Sequence, residues 1–485
     1  MIKDLIEDIE RFYPVLESLI KEKNIKTQWL EDLYKIFLME DNEYTTPLKY
    51  QLFITLRNNT DLIDYDLFSQ VLNLTKDDIF YLLKNQGFEV YFPVYDLELK
   101  DSYIAKAFIV ENTQKTFSFN YFLNLESVKK ATGKEFFVVF DKIFKGNSFQ
   151  LAITAGLIAN DKTILKNLAF TGEVTSSGKV LPVNHIPEKE KAVLEKGFTL
   201  ITPEDIESIE QLDFWLNSPD IPVILLNRNN KNDIIQSLQQ VEETIKQDYP
   251  YFNINNLQKF YNINQNDLTL ITENIDFSDK KQIQNILDEV EEKFRKLFTI
   301  KSAVLYISIS ISSLGFFIGA LLGSRKRVVI LHYINNKYLK AIDARENIRV
   351  IKQIKNQYEI LQVKECNPDE ETAVILHIAS HNPVEKSLRY IEKNIPNAKT
   401  CIAQTIYNGN IPTEEFLPLH QELYNFINTT IRKKLHIFHS MPTPLALSLG
   451  MAIGHFWDIN IYHFDNQKSE YVKIPVNLKE VVSKF

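Results

Sequence analysis

Ser148 lies in the stretch Lys145-Gly146-Asn147-Ser148-Phe149-Gln150, between the strand-like run Glu135 to Phe140 and an apolar helical segment, Leu151 to Ala159. A serine there sits near a helix N-terminus, where free amides and the helix dipole can stabilise a developing oxyanion. Three further motifs follow in order: Ala169-Phe170-Thr171-Gly172-Glu173-Val174, Gly178-Lys179-Val180-Leu181-Pro182-Val183, and Ile186-Pro187-Glu188-Lys189-Glu190-Lys191-Ala192. Taken singly, the serine would be a helix cap and each lysine a solvated residue. The ordered set is specific. Gly172 to Lys179 imitates a phosphate-binding loop, but it has five residues between its glycines, and Val180 stands where Ser or Thr should hold magnesium. No nucleotide-driven motor is expected.

A second group of polar residues falls where C-terminal strands end. Ser310, Ser312 and Ser313 follow the first such strand, and Ser380, His381 and Asn382 follow Ala373 to Ala379. Gln404 and Thr405 follow Cys401, and Ser440 and Thr443 follow Leu435 to His439. In Rossmann-like sheets this edge binds ligands, although ordinary helix capping accounts for some of these residues. Lys326, in the basic run Arg325-Lys326-Arg327, is grouped with them as a ligand-binding candidate. Eight of the nine histidines lie after residue 330, without His-Glu-x-x-His or Cys-x-x-Cys spacing, and read as core or strand-end residues rather than metal ligands. Neither a metal nor a cofactor is expected.

These residues need elements to hold them, and 485 residues leave room for about three domains. Apolar positions recur at three and four in Leu5, Ile9, Phe12 and Leu16 and in Leu30, Leu33, Ile36 and Phe37, so residues 1–87 are expected to be helical. Strands such as Val90 to Val94 then open an α/β domain expected over 88–240, closing with the strand Ile221 to Leu226. An Asn/Gln-rich helical connector is expected over 241–300, with Ile283, Ile286, Leu287, Val290 and Phe294 on one face.

Ser302 to Ser324 carries no charge over 23 residues and contains Gly315, Gly319 and Gly323, so by hydropathy alone it is a membrane-span candidate. It is also half of a repeat. A shift of 131 positions lays Gly319-Ala-Leu-Leu-Gly323 on Gly450-Met-Ala-Ile-Gly454, and Val328 to His332 on Ile459 to His463. The second copy is too polar to cross a bilayer, so both copies are expected to be β-loop-helix-β units, and membrane association is not expected.

Charge divides along the chain. Residues 301–485 hold 22 Lys and Arg against 16 Asp and Glu, whereas residues 1–300 hold 33 against 47. A mildly basic C-terminal module without dense cationic runs suits a small phosphorylated ligand and not duplex nucleic acid. Two cysteines cannot build a disulfide framework, and the N-terminus lacks signal-peptide character, so a cytoplasmic, reducing setting is expected.

The serine, the Thr-Gly-Glu strand, the Gly-x-Val-x-Pro-Val run and the Glu-Lys pair resemble the proteolytic domain of Lon proteases, over about 88–240. The resemblance implies Ser148 as nucleophile, Lys189 as general base with Lys191 as its rival, and Thr171 as the hydroxyl that orients the lysine. A base lysine must be neutral, so apolar neighbours have to pull its pKa from about 10.4 towards neutrality. Val183, Ile186 and Ala192 suit that role. Departures from the family pattern are Asn147, Phe149 and Gln150 around the serine and Asn184-His185 where Lon has Gly-Gly.

The C-terminal repeat, with Lys434 to Phe438, Pro442 to Gly450 and Ile459 to Tyr462, resembles the SAVED domain, two fused CARF-like halves that sense cyclic oligonucleotides, expected over 301–485. Lon plus SAVED in one chain resembles the CRISPR-associated Lon proteases of type III systems, the CalpL-like family. That resemblance implies activation by a cyclic oligoadenylate such as the tetra-adenylate, ligand-induced self-association, and cleavage of a companion protein that holds a sigma factor. A non-catalytic sensor scaffold and a membrane-anchored peptidase are the alternatives.

Overall fold

Spacing of three and four between apolar residues gives the N-terminal segment its helices, among them Ile9–Lys21, Thr45–Asn58, Tyr65–Leu72 and Lys76–Lys84. The last opens on a Thr75/Asp78 capping box. In the computed structural model, which describes residues 2–121, 123–407 and 409–482, the chain forms two units, Met1–Ser218 and Pro219–Phe485.

In the first unit the helices are not a separate domain. Their apolar faces share one core with Val110, Phe137 and Val139 of a six-stranded sheet and with Phe119 just after its third strand. The strands are β1 (Gly87–Asp96), β2 (Asp101–Glu111), β3 (Phe117–Ser118), β4 (Phe136–Phe140), β5 (Leu168–Phe170) and β8 (Thr199–Ile201), in the order β3-β4-β2-β1-β5-β8. β1 and β2 form an antiparallel hairpin, and β5 lies parallel to β1 and β8. Between β5 and β8 come the small hairpin β6 (Glu173–Val174) with β7 (Val180–Leu181) and the helix Ile186–Glu195. Gly172 to Lys179 is therefore a hairpin with Gly178 at φ +83°, not a loop opening a helix, and it cannot cradle phosphate.

The second unit starts earlier than expected. β9 (Ile221–Arg228), which the sequence suggested would close the domain over 88–240, pairs in parallel with β10 (Thr269–Ile271) and β11 (Ala303–Ser308). With β12 (Val328–Ile334) and β13 (Lys337–Asp343) they give the order β10-β9-β11-β12-β13. The expected connector over 241–300 is part of this unit, because its helix Lys280–Leu297 buries Ile283, Leu287, Val290 and Phe294 there. Moving the boundary also weakens the charge contrast: residues 219–485 carry 31 Lys and Arg against 29 Asp and Glu, and residues 1–218 carry 24 against 34.

A second sheet holds β14 (Leu361–Cys366), β15 (Glu371–His377), β16 (Lys399–Thr405), β17 (Lys434–Ser440), β18 (Asp458–Asp465) and β19 (Glu470–Asn477), in the order β14-β16-β15-β17-β18-β19. Cys366 and Cys401, directly opposite in the β14–β16 ladder, are joined as a disulfide. The two thiols expected of a reducing setting are thus bonded to each other.

The repeat is visible as β11, the helix Ser312–Leu322 and β12 in one half, and β17, the helix Thr443–Ile453 and β18 in the other. Both helices are buried over nearly their whole length and pack on each other backbone to backbone. A Cβ at Gly319 would strike the Leu447 carbonyl, and one at Gly450 would strike the Phe316 carbonyl. Phe316 and Leu447 are themselves related by the 131-residue shift, so the contact is reciprocal. The small-residue spacing that resembled a membrane helix serves this crossing. Among the described residues no helix is long and apolar enough to span a bilayer.

Gly319→Val and Gly450→Val are each expected to lower unfolding stability by about 1–3 kcal/mol or more through overpacking. The double variant should lose less than the sum, because one displaced helix relieves both contacts. Urea denaturation of the three variants checks this; strictly additive losses would contradict a shared interface.

Candidate functional site

The serine loop is laced to the Thr-Gly-Glu strand. Gly172 N–H donates to the Ser148 carbonyl (2.8 Å) and Leu151 N–H to the Gly172 carbonyl (3.0 Å). Asn147 Nδ2 donates to Glu173 Oε1 (3.1 Å), and Gln150 Oε1 accepts from Val174 N–H (2.9 Å). Ser148 is thereby held beside Thr171, whose own N–H is fixed by the Ile201 carbonyl (3.0 Å). Among the described residues the Ser148 hydroxyl has no side-chain partner.

Lys189 comes to the same strand end from the first turn of the helix Ile186–Glu195. It is only 5% exposed, and its Nζ donates to Thr171 Oγ1 at 3.2 Å. No carboxylate among the described residues pairs with it. Burial alone pulls its ammonium down to about 8. Lys191 is exposed, which separates the two lysines of the motif.

A comparison within the unit shows what is unusual. Lys49 is also buried, but its Nζ reaches the Met39 carbonyl (2.6 Å), the Phe119 carbonyl (2.9 Å) and Asp41 Oδ1 (3.1 Å). Two carbonyls and the Asp41 carboxylate hold Lys49 as a structural cation. Lys189 has one neutral hydroxyl, an arrangement that disfavours the ammonium and favours the free amine.

The departures around the serine have physical reasons. Phe149 joins Phe92, Phe140 and Phe144 in an aromatic cluster, and Gln150, 1% exposed, has both amide atoms bonded. Asn184-His185 is less expected. His185 is the residue before the lysine helix and adopts φ +62°, ψ 36°, a left-handed conformation costing roughly 1–2 kcal/mol for a residue with a Cβ. Its ring lies on Tyr95 with centroids 3.8 Å apart and planes at 9°.

In the second unit a cleft of about 920 Å³ opens where three parallel strands of one sheet end beside the end of β18 of the other. Asn229 to Asn232 follow β9, Thr272 to Ile275 and Phe277 follow β10, Ile311 follows β11, and His463 and Asn466 come from the end of β18. Chain order reverses here, since β10 lies on one side of β9 and β11 on the other. Open α/β sheets bind ligands at such a point. The lining is chiefly amide, with one lysine, Lys231, and one carboxylate, Glu273. His463 stacks on Phe277 (3.8 Å, 22°), and burial lowers His463 to about 4, so the ring is neutral at pH 7.

None of the ten residues expected to bind ligand lines this cleft, but two shape it. Ser310 Oγ donates to Asn229 Oδ1 (2.6 Å) and Asn227 Oδ1 (2.7 Å), fixing the asparagine rim. Ser313 Oγ bridges His463 Nδ1 (3.0 Å) and His439 Nε2 (3.2 Å). Ser312 and Thr443 start the paired helices. Ser380, His381, Gln404 and Ser440 gather at the end of the second sheet; the Ser440 carbonyl accepts from Ile378 and Ala379 N–H (2.8 Å each), and Gln404 Nε2 meets Gln362 at 3.4 Å. Asn382 Oδ1 accepts from Val384 N–H (3.0 Å) at the start of the next helix. Lys326, also expected with the ligand, lies away from this cleft. The crossover returns the chain to the opposite edge before β12, where Lys326 covers the Phe298 ring at 4.5 Å. The missed signal was the Asn run after an apolar strand.

Residues 286–474 match the family model for the SAVED domain, described as "SMODS-associated and fused to various effectors sensor domain". Among solved structures the chain is similar to the Acinetobacter baumannii Cap4 SAVED/CARF-domain containing receptor with the cyclic trinucleotide 3'3'3'-cAAA (18% identity, 41% of this chain and 44% of that one, TM-score 0.31). It is also similar to that receptor with 2'3'3'-cAAA (15%, 56% and 53%, TM-score 0.35) and to the Moraxella osloensis Cap4 receptor (15%, 41% and 43%, TM-score 0.30). The chain spans about half the length of these structures. No curated protein matches.

A lysine whose folded pKa is depressed binds fewer protons than its unfolded counterpart between about pH 8 and about pH 10.4. Its destabilising effect is therefore complete below about pH 8 and fades as pH rises through that window. Lys189→Met is expected to be more stable than the parent by about 1–3 kcal/mol at pH 7, with the gap closing towards pH 10. Urea midpoints at the two pH values decide it; a Lys189→Met protein less stable at pH 7 would contradict the uncompensated burial.

Proposed function

We propose that the chain is a Ser-Lys endopeptidase governed by a cyclic-oligonucleotide sensor. The observation that carries the peptidase half is the buried Lys189, bonded to Thr171 next to the Ser148 loop and met by no carboxylate among the described residues. Neutral Lys189 takes the Ser148 proton as Oγ attacks a peptide carbonyl, and Thr171 aims Nζ. The amides of Gln150 and Leu151 are already bonded, so the Ser148 and Phe149 N–H groups, beside the nucleophile, are assigned to the oxyanion. The lysine then gives the proton to the leaving amine, and the acyl-enzyme is hydrolysed with Lys189 again as base. Neither ATP nor metal enters this scheme.

The sensor half rests on the SAVED match and on the cleft. Asparagine amides can pair with two edge atoms of adenine at once, and the His463–Phe277 stack offers a flat surface for a base. The ligand class is a cyclic oligoadenylate, with the tetra-adenylate as the first to try. Ligand-driven self-association and a companion protein holding a sigma factor complete the scheme, on the resemblance noted above.

Incubation of the full-length protein with cyclic tetra-adenylate and its companion protein, followed by gel electrophoresis, tests the peptidase. Ser148→Ala and Lys189→Ala are each expected to abolish cleavage, with no further loss in the double variant, and Lys191→Ala to be mild. The rate should rise about tenfold per pH unit up to about pH 8 and then level. Cleavage that survives Ser148→Ala would leave a sensor scaffold acting through another protease. Light scattering tests assembly: cleavage by a strictly monomeric, ligand-saturated protein would contradict it.

His463→Ala is expected to weaken cyclic tetra-adenylate binding about tenfold or more, in line with the loss of one stacked base. Binding should depend only weakly on salt, because the cleft offers one lysine rather than a cationic surface. Calorimetry at low and high salt measures both; a steep salt slope with no His463→Ala effect would place the ligand elsewhere.

A further inference from the structure

His185 stands where the resembled family has glycine, and the peptidase scheme does not use it. Its backbone is left-handed, the conformation that glycine adopts without strain. It precedes the lysine helix without capping it through its side chain. Instead its carbonyl accepts the Lys189 N–H at 3.0 Å, closing the helical turn that carries the lysine, while its ring lies flat on Tyr95 of β1. Further down, Val193 anchors the same helix in a cluster with Ala169 and Leu200, against Tyr91 and Ile104. The helix is thus held at Val193 by core packing and at its start by one aromatic stack.

We propose that the Tyr95–His185 stack is a clamp that positions the first turn of this helix, delivering Lys189 Nζ to Thr171 and keeping it out of water. The clamp rests on the reading of Lys189 as the base of the peptidase. A flexible Gly-Gly entry would let the turn rock and admit water to Nζ. The stack replaces that freedom with a fixed entry angle at the expense of a strained backbone. His185 and Tyr95 are positioning residues, acting on Lys189 through the helix. The charged groups around the clamp are Glu188, whose Oε1 is 4.0 Å from His185 Nδ1, and Asp96, which follows Tyr95 at the end of β1; Glu190 and Lys191 of the same helix are exposed. From β1 the helix meets Tyr91 and Tyr95, and among the described residues no carboxylate from the sheet pairs with Lys189.

The test follows the titration of Lys189 itself. Full-length protein is labelled with a small amine-acylating reagent across pH, and modification of the Lys189 peptide is followed by mass spectrometry. Wild-type Lys189 should titrate near 8; a value in the ordinary lysine range would overturn the general-base reading and the clamp with it. His185→Gly relieves the backbone strain, so a merely structural residue would show a neutral or raised melting temperature and an unmoved Lys189. The clamp requires instead that His185→Gly move the Lys189 titration upward by about one pH unit or more, leaving roughly tenfold less free amine at neutral pH. Tyr95→Ala should do the same, and Tyr95→Phe, which keeps the stack, should not. If wild type titrates near 8 and His185→Gly and Tyr95→Ala leave it there, the clamp is refuted while the base assignment stands.

Discussion

An ammonium group withdrawn from water is unfavourable unless an opposite charge or several acceptors meet it. Lys189 is withdrawn with a single hydroxyl beside it, whereas Lys49 in the same unit is given a carboxylate and two carbonyls. Much of the first unit's local structure follows from that difference. The serine loop is hydrogen-bonded strand-fashion to Gly172, which puts Ser148 at the strand end that Thr171 terminates. The helix Ile186–Glu195 must bring a long side chain to the same point, and its entry is set by an aromatic stack instead of a flexible turn.

The second unit depends on a different constraint, the close approach of two helices related by an internal repeat. Gly319 and Gly450 allow each backbone to lie against the other, and no side chain fits between them. This fixes the two halves so that His463 and Asn466 of one half complete a cleft whose other walls follow strand ends of the other. Ser313 sits at the junction, bonded to both His439 and His463. A ligand that contacts His463 would therefore press on the element that joins the halves.

Much of this was legible in the sequence where the signal was local. The ordered motifs marked Ser148, Thr171 and Lys189, and the 131-residue shift marked the paired βαβ units. Non-local pairing was not legible. β9 follows the first unit in the chain but pairs with β11 some eighty residues later, so the Asn229 to Asn232 rim was assigned to the wrong domain and the cleft was missed. Strand-end reasoning placed Lys326 with the ligand because hydropathy does not show that a crossover helix carries the chain back to the far edge. The role of His185 was hidden for the same reason, since its partner Tyr95 lies ninety positions upstream.

Reaction of Ser148 with an organophosphonate serine probe tests the central claim without knowledge of the natural substrate. Full-length protein saturated with cyclic tetra-adenylate would be treated at pH 8, and the adduct located by peptide mass spectrometry in the parent and in Lys189→Met. The account predicts an adduct on Ser148 that grows with ligand and is lost in Lys189→Met. An adduct of equal extent in both proteins, or none on Ser148 while ligand is bound, would contradict it.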